Sequence, residues 1–203
     1  VDPRFVTYSG DVEINQGVVS GGDDIIIGSN SSIAEYLVGD VFENRVGGIV
    51  TGGRDTINNR GGNDESSGDI GVMMGGTLTG GNDTLRGGVD SNQLAGEVIN
   101  VTGGASLAVV TINGGRDRLY GGGGNDVLSG DVLYAFDADL ASTINGGNDI
   151  LYGGGGDDQL FGDIVSTFNA HLDSGGNDTF DGGLGNDFLI GQLGSDTASF
   201  ASI

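Results

Sequence analysis

Large apolar residues recur along this chain in a fixed relation to polar ones. Six segments, GGDDIII, GGRDTIN, GGNDTLR, GGRDRLY, GGNDILY and GGNDTFD, begin at Gly21, Gly52, Gly80, Gly114, Gly146 and Gly175. The steps between them are 31, 28, 34, 32 and 29 residues. Each carries an aspartate: Asp24, Asp55, Asp83, Asp117, Asp149 and Asp178. Two positions later stands Ile26, Ile57, Leu85, Leu119, Leu151 or Phe180. A side chain with an oxygen (Ser20, Thr51, Thr79, Asn113, Asn145, Ser174) precedes every glycine pair.

A second row follows nine residues on, at Asp64, Asn92, Asp126, Asp158 and Asp187, and one more step reaches Asp196. Glu35 takes this place in the first, stretched unit. Again the residue two positions on is large and apolar (Leu37, Leu94, Leu128, Leu160, Leu189), except that Ser66 breaks the pattern. A Gly-Asp step comes five residues after this second acid, at Asp40, Asp69, Asp131 and Asp163, with Glu97 in the third unit and Asp11 as the tail of an earlier one. A longer stretch then leads to the next glycine pair. It alternates like a half-buried strand, with Ile70, Val72, Met74 and Leu78 on one parity. Tyr134, Phe136, Ala138 and Leu140 share a parity in one later unit, and Ile164, Phe168, Ala170 and Leu172 in another.

Self-similarity at this period is the mark of a solenoid. Glycine at fixed places suits tight turns and disfavours helix, by ~1 kcal/mol per interior position relative to alanine. Each unit is therefore predicted to hold three extended segments, two of nine residues and a longer third wall. Stacked coils would bury the recurrent Ile and Leu positions as ladders. The expected organisation is 1–19 as the tail of a preceding repeat, 20–200 as the solenoid, and 201–203 as a truncated end of a fragment of something larger.

Composition narrows the chemistry. Gly supplies 44 of 203 residues and Pro one, which excludes collagen and Pro-rich disorder. Aromatics at 6% with no Trp argue against one thick core. The formal charge is −22, from 29 acidic and 7 basic residues. That sign excludes binding to nucleic acid and to anionic membranes. Of the acids 24 are Asp and 5 are Glu, a bias that a merely solvated surface does not need but that turns and calcium ligation do. No Cys is present, so there is no disulfide or zinc thiolate, and no 18-residue apolar run exists to span a membrane as a helix.

Three stretches match G-G-x-G-x-D in full: GGGGND at 121–126, GGGGDD at 153–158 and GGLGND at 182–187, each continuing to Leu128, Leu160 or Leu189. They resemble the RTX, or hemolysin-type, calcium-binding nonapeptide. The resemblance covers roughly residues 20–200. It implies an all-β fold, a right-handed parallel β-roll or β-helix of about six coils of roughly 31 residues with calcium in its Gly/Asp-rich turns. It also implies secretion from a Gram-negative bacterium by a type I exporter, an extracellular or cell-surface location, and folding when calcium is met outside. In the family, turn carbonyls and the motif aspartate form each site, and neighbouring coils share an ion. Carried over, the metal-binding positions are Asp24, Asp55, Asp64, Asp83, Asp117, Gly121, Gly123, Asp126, Asp149, Gly153, Gly155, Asp158, Asp178, Gly182, Asp187 and Asp196. The third segment and the first row, which lacks the leading glycines, depart from the family pattern.

Turn preference alone would explain isolated Asp-Gly pairs. Rows of them stacked ~5 Å apart would repel unless neutralised. Two rows across six coils offer about ten gaps, and ten calcium ions would carry about +20 against −22. His171 is the sole histidine and cannot build a zinc site alone. No phosphate loop occurs, and Lys is absent altogether. No nucleophile–His–acid set is visible, so no enzyme activity is expected of the chain itself. The favoured function is a calcium-driven folding and secretion module of a larger parent, with calcium and, through the parent, the type I machinery as partners. The alternatives are a calcium-stiffened adhesin or surface-layer spacer, and an accessory module of a secreted hydrolase or polysaccharide-modifying enzyme.

Overall fold

A computed structural model describes residues 6–102, 109–136, 142–167 and 172–199. Every regular element among them is a strand, and every pairing is parallel, coil upon coil. In the coil that starts at Val110 the strands are Val110–Asn113, Arg118–Gly123, Val127–Ser129 and Val132–Phe136, which define walls 1 to 4. Walls 1 and 4 stack into six-stranded sheets, and walls 2 and 3 into seven-stranded ones. The chain is thus a parallel β-solenoid of about six coils.

The third segment of each unit is a correction to the expectation of one wall. It folds into two strands, as in Ile70–Met73 followed by Gly76–Thr79, so each full coil has four strands. Its parity also differs from the sequence reading. In Val132–Phe136 the inward residues are Val132 and Ala135, while Tyr134 is half-buried and Phe136 is 48% exposed. In Ile70–Met73 they are Ile70 and Met73, and Met74 is half-buried outside the core cluster. The strand begins at the bent Gly-Asp step, and cross-coil pairing skips one position after Ile70, Val98 and Val132, which shifts the alternation. Ala138, Leu140, Phe168 and Ala170 lie outside the described residues, as does His171.

Four walls make a coil with two apolar lobes. Between walls 2 and 3, Ile57, Leu85, Leu119, Leu151 and Phe180 face Leu37, Leu94, Leu128 and Leu160. Register keeps like on like: Leu119 pairs with Leu151, and Leu128 with Leu160. Between walls 4 and 1 a second lobe is built mainly of Val and Ile, including Val98, Val110, Ile112 and Val132, with Met73, Leu78 and Ala135. Where Ser66 interrupts the leucine ladder, its hydroxyl bonds Asn59 Oδ1 at 2.8 Å, so the polar substitution brings its own partner.

The lobes meet at a waist. One side is the Gly-Asp corner between walls 3 and 4; the other is the Gly-Gly-x-Asp corner between walls 1 and 2. The corner acids Asp40, Asp69, Asp131 and Asp163 lie against Gly21, Gly52, Gly114 and Gly146 of the facing turns. The last turn shows how this corner arises. Gly191–Asp196 leads directly from Phe188–Ile190 in wall 3 to Thr197–Ser199 in wall 2. It stacks on both halves of the divided corner, with Asp196 under Asp178 and Gln192 under Asp163. The divided corner is thus a G-x-x-G-x-D turn opened by an excursion through walls 4 and 1.

Candidate metal centre

Two ladders of carboxylates run along the solenoid. In the first row the backbone N–H of each aspartate donates to Oδ1 of the aspartate one coil on. Asp24 donates to Asp55 and Asp55 to Asp83 (2.7 Å each), Asp83 to Asp117 (2.7 Å), Asp117 to Asp149 and Asp149 to Asp178 (2.8 Å each). The Asp178 N–H then donates to Asp196 Oδ1 at 3.0 Å. Asp196 therefore belongs to the first row, although in sequence it continues the second by one nine-residue step. The second row is built alike: Glu35 N–H to Asp64 (2.7 Å), Asp64 to Asn92 (3.0 Å), Asn92 to Asp126 (2.7 Å), Asp126 to Asp158 (2.8 Å) and Asp158 to Asp187 (3.0 Å). Asn92 keeps the ladder continuous without a charge.

Each ladder bond uses one carboxylate oxygen and leaves the other. Oδ2 of Asp24, Asp55, Asp64, Asp83, Asp117, Asp126, Asp149, Asp158 and Asp178 is buried without a hydrogen-bond partner. A buried, unpaired carboxylate oxygen is costly, and a row of them more so. Burial is the main reason these groups hold protons strongly. It pushes Asp55, Asp117, Asp126 and Asp178 up to about 7, and Asp64 to about 6. Asp83 and Asp149 rise well above the ordinary carboxylate value, with neighbouring row members adding to the effect.

Glycine makes room for these oxygens. In the second row, Gly121 and Gly153 sit so close to Asp126 and Asp158 that a Cβ would overlap the unpaired Oδ2. Gly182 stands in the same relation to Asp187. Gly123 and Gly155 are different: nothing lies within 3.4 Å of a Cβ built there, and Leu184 pairs with Gly155 at the equivalent place. Their contribution to a site would come from backbone carbonyls alone. Hard oxygen donors, a carboxylate from each coil and carbonyls from a turn free of side chains suit calcium, which takes six to eight oxygens.

Residues 78–97, 113–132, 145–164 and 173–198 each match the model of the RTX calcium-binding nonapeptide repeat. The chain belongs to the RTX calcium-binding repeat family. No curated protein shows significant similarity to it. Each matched RTX window contains a first-row and a second-row turn, and the last also takes in the undivided turn at Asp196, so the family match and the ladders coincide. The first two coils lie outside the matches, where Glu35 and the Ser66–Asn59 pair depart from the motif.

One set of acids stands outside the RTX turns read from the sequence. Asp40, Asp69, Glu97, Asp131 and Asp163 are fully buried at the waist, and all but Asp131 carry one oxygen free of any hydrogen bond. Their signal is the Gly-Asp step at a fixed offset of five from the second-row position, but nothing in the local sequence places it opposite the first row.

The raised proton affinities give a pH dependence with a definite sign. A carboxyl whose folded value lies above its unfolded value, 3.8 for Asp, favours the folded chain while protonated. That contribution fades as pH rises through about 6 to 7, the folded values of Asp64 and Asp55. The calcium-free chain is therefore expected to gain β structure as pH falls from about 8 to about 5, a range over which the carboxylates of the unfolded chain stay ionised. Circular dichroism in EDTA at the two pH values checks this, and a β signal unchanged or smaller at the lower pH would contradict it.

Proposed function

We propose that this chain is the calcium-dependent folding module of a protein exported by a Gram-negative bacterium, and that it acts outside the cell. The observation that carries the reading is the double ladder, in which the buried row aspartates each spend one oxygen on a neighbouring coil and leave the other unpaired. Such a chain is poorly suited to fold where calcium is scarce and well suited to fold where it is plentiful. Export through a type I channel requires an unfolded chain, and a calcium switch supplies one. The six inter-coil steps of the first row and five of the second make room for about ten ions.

The module is proposed to be non-catalytic, any reaction belonging to other parts of the parent protein. Its buried acids are engaged in the repeat ladders rather than gathered in one asymmetric cleft, which supports this reading.

The test is the calcium midpoint for folding of the isolated chain, followed by circular dichroism at neutral pH. Extracellular calcium modules bind at ~0.1–1 mM, and a midpoint in that range is expected. A midpoint below ~1 μM would mean that the chain folds before export and would sink the reading.

A further inference from the structure

We propose that the calcium sites of the first row are waist sites, in which the Gly-Asp corner acids also ligate the ion directly and tie the two apolar lobes of each coil together. The inference deepens the calcium reading above and rests on it. In the RTX turns of the second row one carboxylate per coil faces the site. At the waist two do, one from each side, in the order Asp24, Asp40, Asp55, Asp69, Asp83, Glu97 and onward. Ligand oxygens of Asp40, Asp55 and Asp69, all buried, lie within 4.8 Å of one another, and those of Asp11, Asp24 and Asp40 do the same. That separation matches oxygens on opposite sides of one calcium ion, whose bonds are ~2.3–2.6 Å.

The corner acids have a structural duty as well, which must be separated from ligation. Each accepts an N–H from the facing turn: Gly53 donates to Asp40 Oδ2 at 2.9 Å, Gly81 to Asp69 Oδ2 at 3.0 Å, and Gly176 to Asp163 Oδ1 at 3.1 Å. One oxygen suffices for that bond. The second, Asp40 Oδ1, Asp69 Oδ1 or Asp163 Oδ2, is buried with no partner. An amide would hold the same N–H without bringing charge into a fully buried position, so anchoring alone gives no reason for an acid. In the undivided turn, which has no facing turn to anchor, Gln192 takes the corner position, and its Oε1 accepts the N–H groups of Asp163 and Ile164 at 2.9 and 2.6 Å, bonds that a corner backbone carbonyl accepts elsewhere. The six divided corners carry Asp11, Asp40, Asp69, Glu97, Asp131 and Asp163. An acid stands wherever a second lobe must be joined, and an amide where no lobe follows.

Asp69→Asn separates the two roles because they move in opposite directions. With its oxygen on Gly81 N–H, the new amide turns its NH2 group toward the place of the ion. If a cation belongs there, the full chain carrying this substitution should still fold at saturating calcium. Isothermal titration should then find one ion lost or bound about tenfold more weakly. Its calcium-free form should be at least as ordered as that of the parent, since one buried charge is gone. Asp163→Asn repeats the test at the last divided corner should the central variant fail to fold. Calcium stoichiometry and affinity unchanged from the parent, in a variant that folds, would overturn the proposal and leave the RTX-turn sites standing. A parent chain that binds no calcium at all would overturn the calcium reading and this proposal with it.

Discussion

Stripping calcium at neutral pH is expected to convert the chain from β-rich to largely disordered. The waist and second row place carboxylates one strand spacing apart, ~5 Å. At an effective dielectric of ~20, two unit charges at that distance repel by ~3 kcal/mol. A few such pairs match the ~5–15 kcal/mol by which domains of this size are stable. The apolar lobes are thin, and aromatics make up 6% of the chain, so little else can compensate. EDTA should abolish the β signal in far-ultraviolet circular dichroism and added calcium restore it cooperatively, because each ion bridges two coils. Magnesium at equal concentration should not substitute, since it demands compact octahedral geometry and gives up water reluctantly. A full β spectrum in EDTA would contradict the account.

Gly130→Ala should be among the most damaging single substitutions. Gly130 opens the divided corner before Asp131, and a Cβ there would overlap both the Gly162 carbonyl oxygen and Asp149 Oδ2. One neighbour is backbone and the other a row carboxylate held by the Asp117 N–H at 2.8 Å, so neither can give way cheaply. The cost should reach or exceed the upper end of the ~1–3 kcal/mol seen for overpacked sites. Lowered calcium affinity should accompany it, because the methyl occupies space beside the unpaired oxygen. Gly155→Ala is the matched control: a Cβ there meets nothing within 4 Å. Removing backbone freedom from the unfolded chain should leave that variant unchanged or slightly more stable. Thermal melts at fixed calcium would show the difference, and equal melting temperatures for the two variants would refute the reading of the corner.

The nine-residue walls were legible in sequence because their period is constant. Leu119, Leu128, Leu151 and Leu160 stand two positions after an acid in every case, and the structure stacks them as the periodicity implies. The long segment was not legible in the same way. Alternation pointed to Tyr134 and Phe136, yet the core takes Val132 and Ala135, because the strand starts from a bent corner whose register no local pattern reveals. Its division into walls 4 and 1 was missed for the same reason.

The candidate site was half legible. Rows of aspartate nine residues apart mark themselves. The corner acids do not, because Asp131 meets the turn at Gly146 and Gly147 only after an excursion of variable length. Asp196 shows the converse. Spacing continues it from the second row, but when the excursion is absent the same nine residues bring the chain round to the first. Sequence distance fixes a position in this fold only as long as the number of walls per coil stays constant.

The claim that calcium ions lie in lines between the ladders is tested most directly by a crystal structure of the calcium-loaded chain. Data would be collected at a wavelength where calcium scatters anomalously. The account predicts anomalous peaks repeating at each coil along the second row and along the waist. Each should lie ~2.3–2.6 Å from oxygens that are now unpaired, such as Asp126 Oδ2, Asp55 Oδ2 and Asp69 Oδ1. A folded, calcium-saturated chain with no peaks at those oxygens, or with peaks confined to the outer surface, would contradict it.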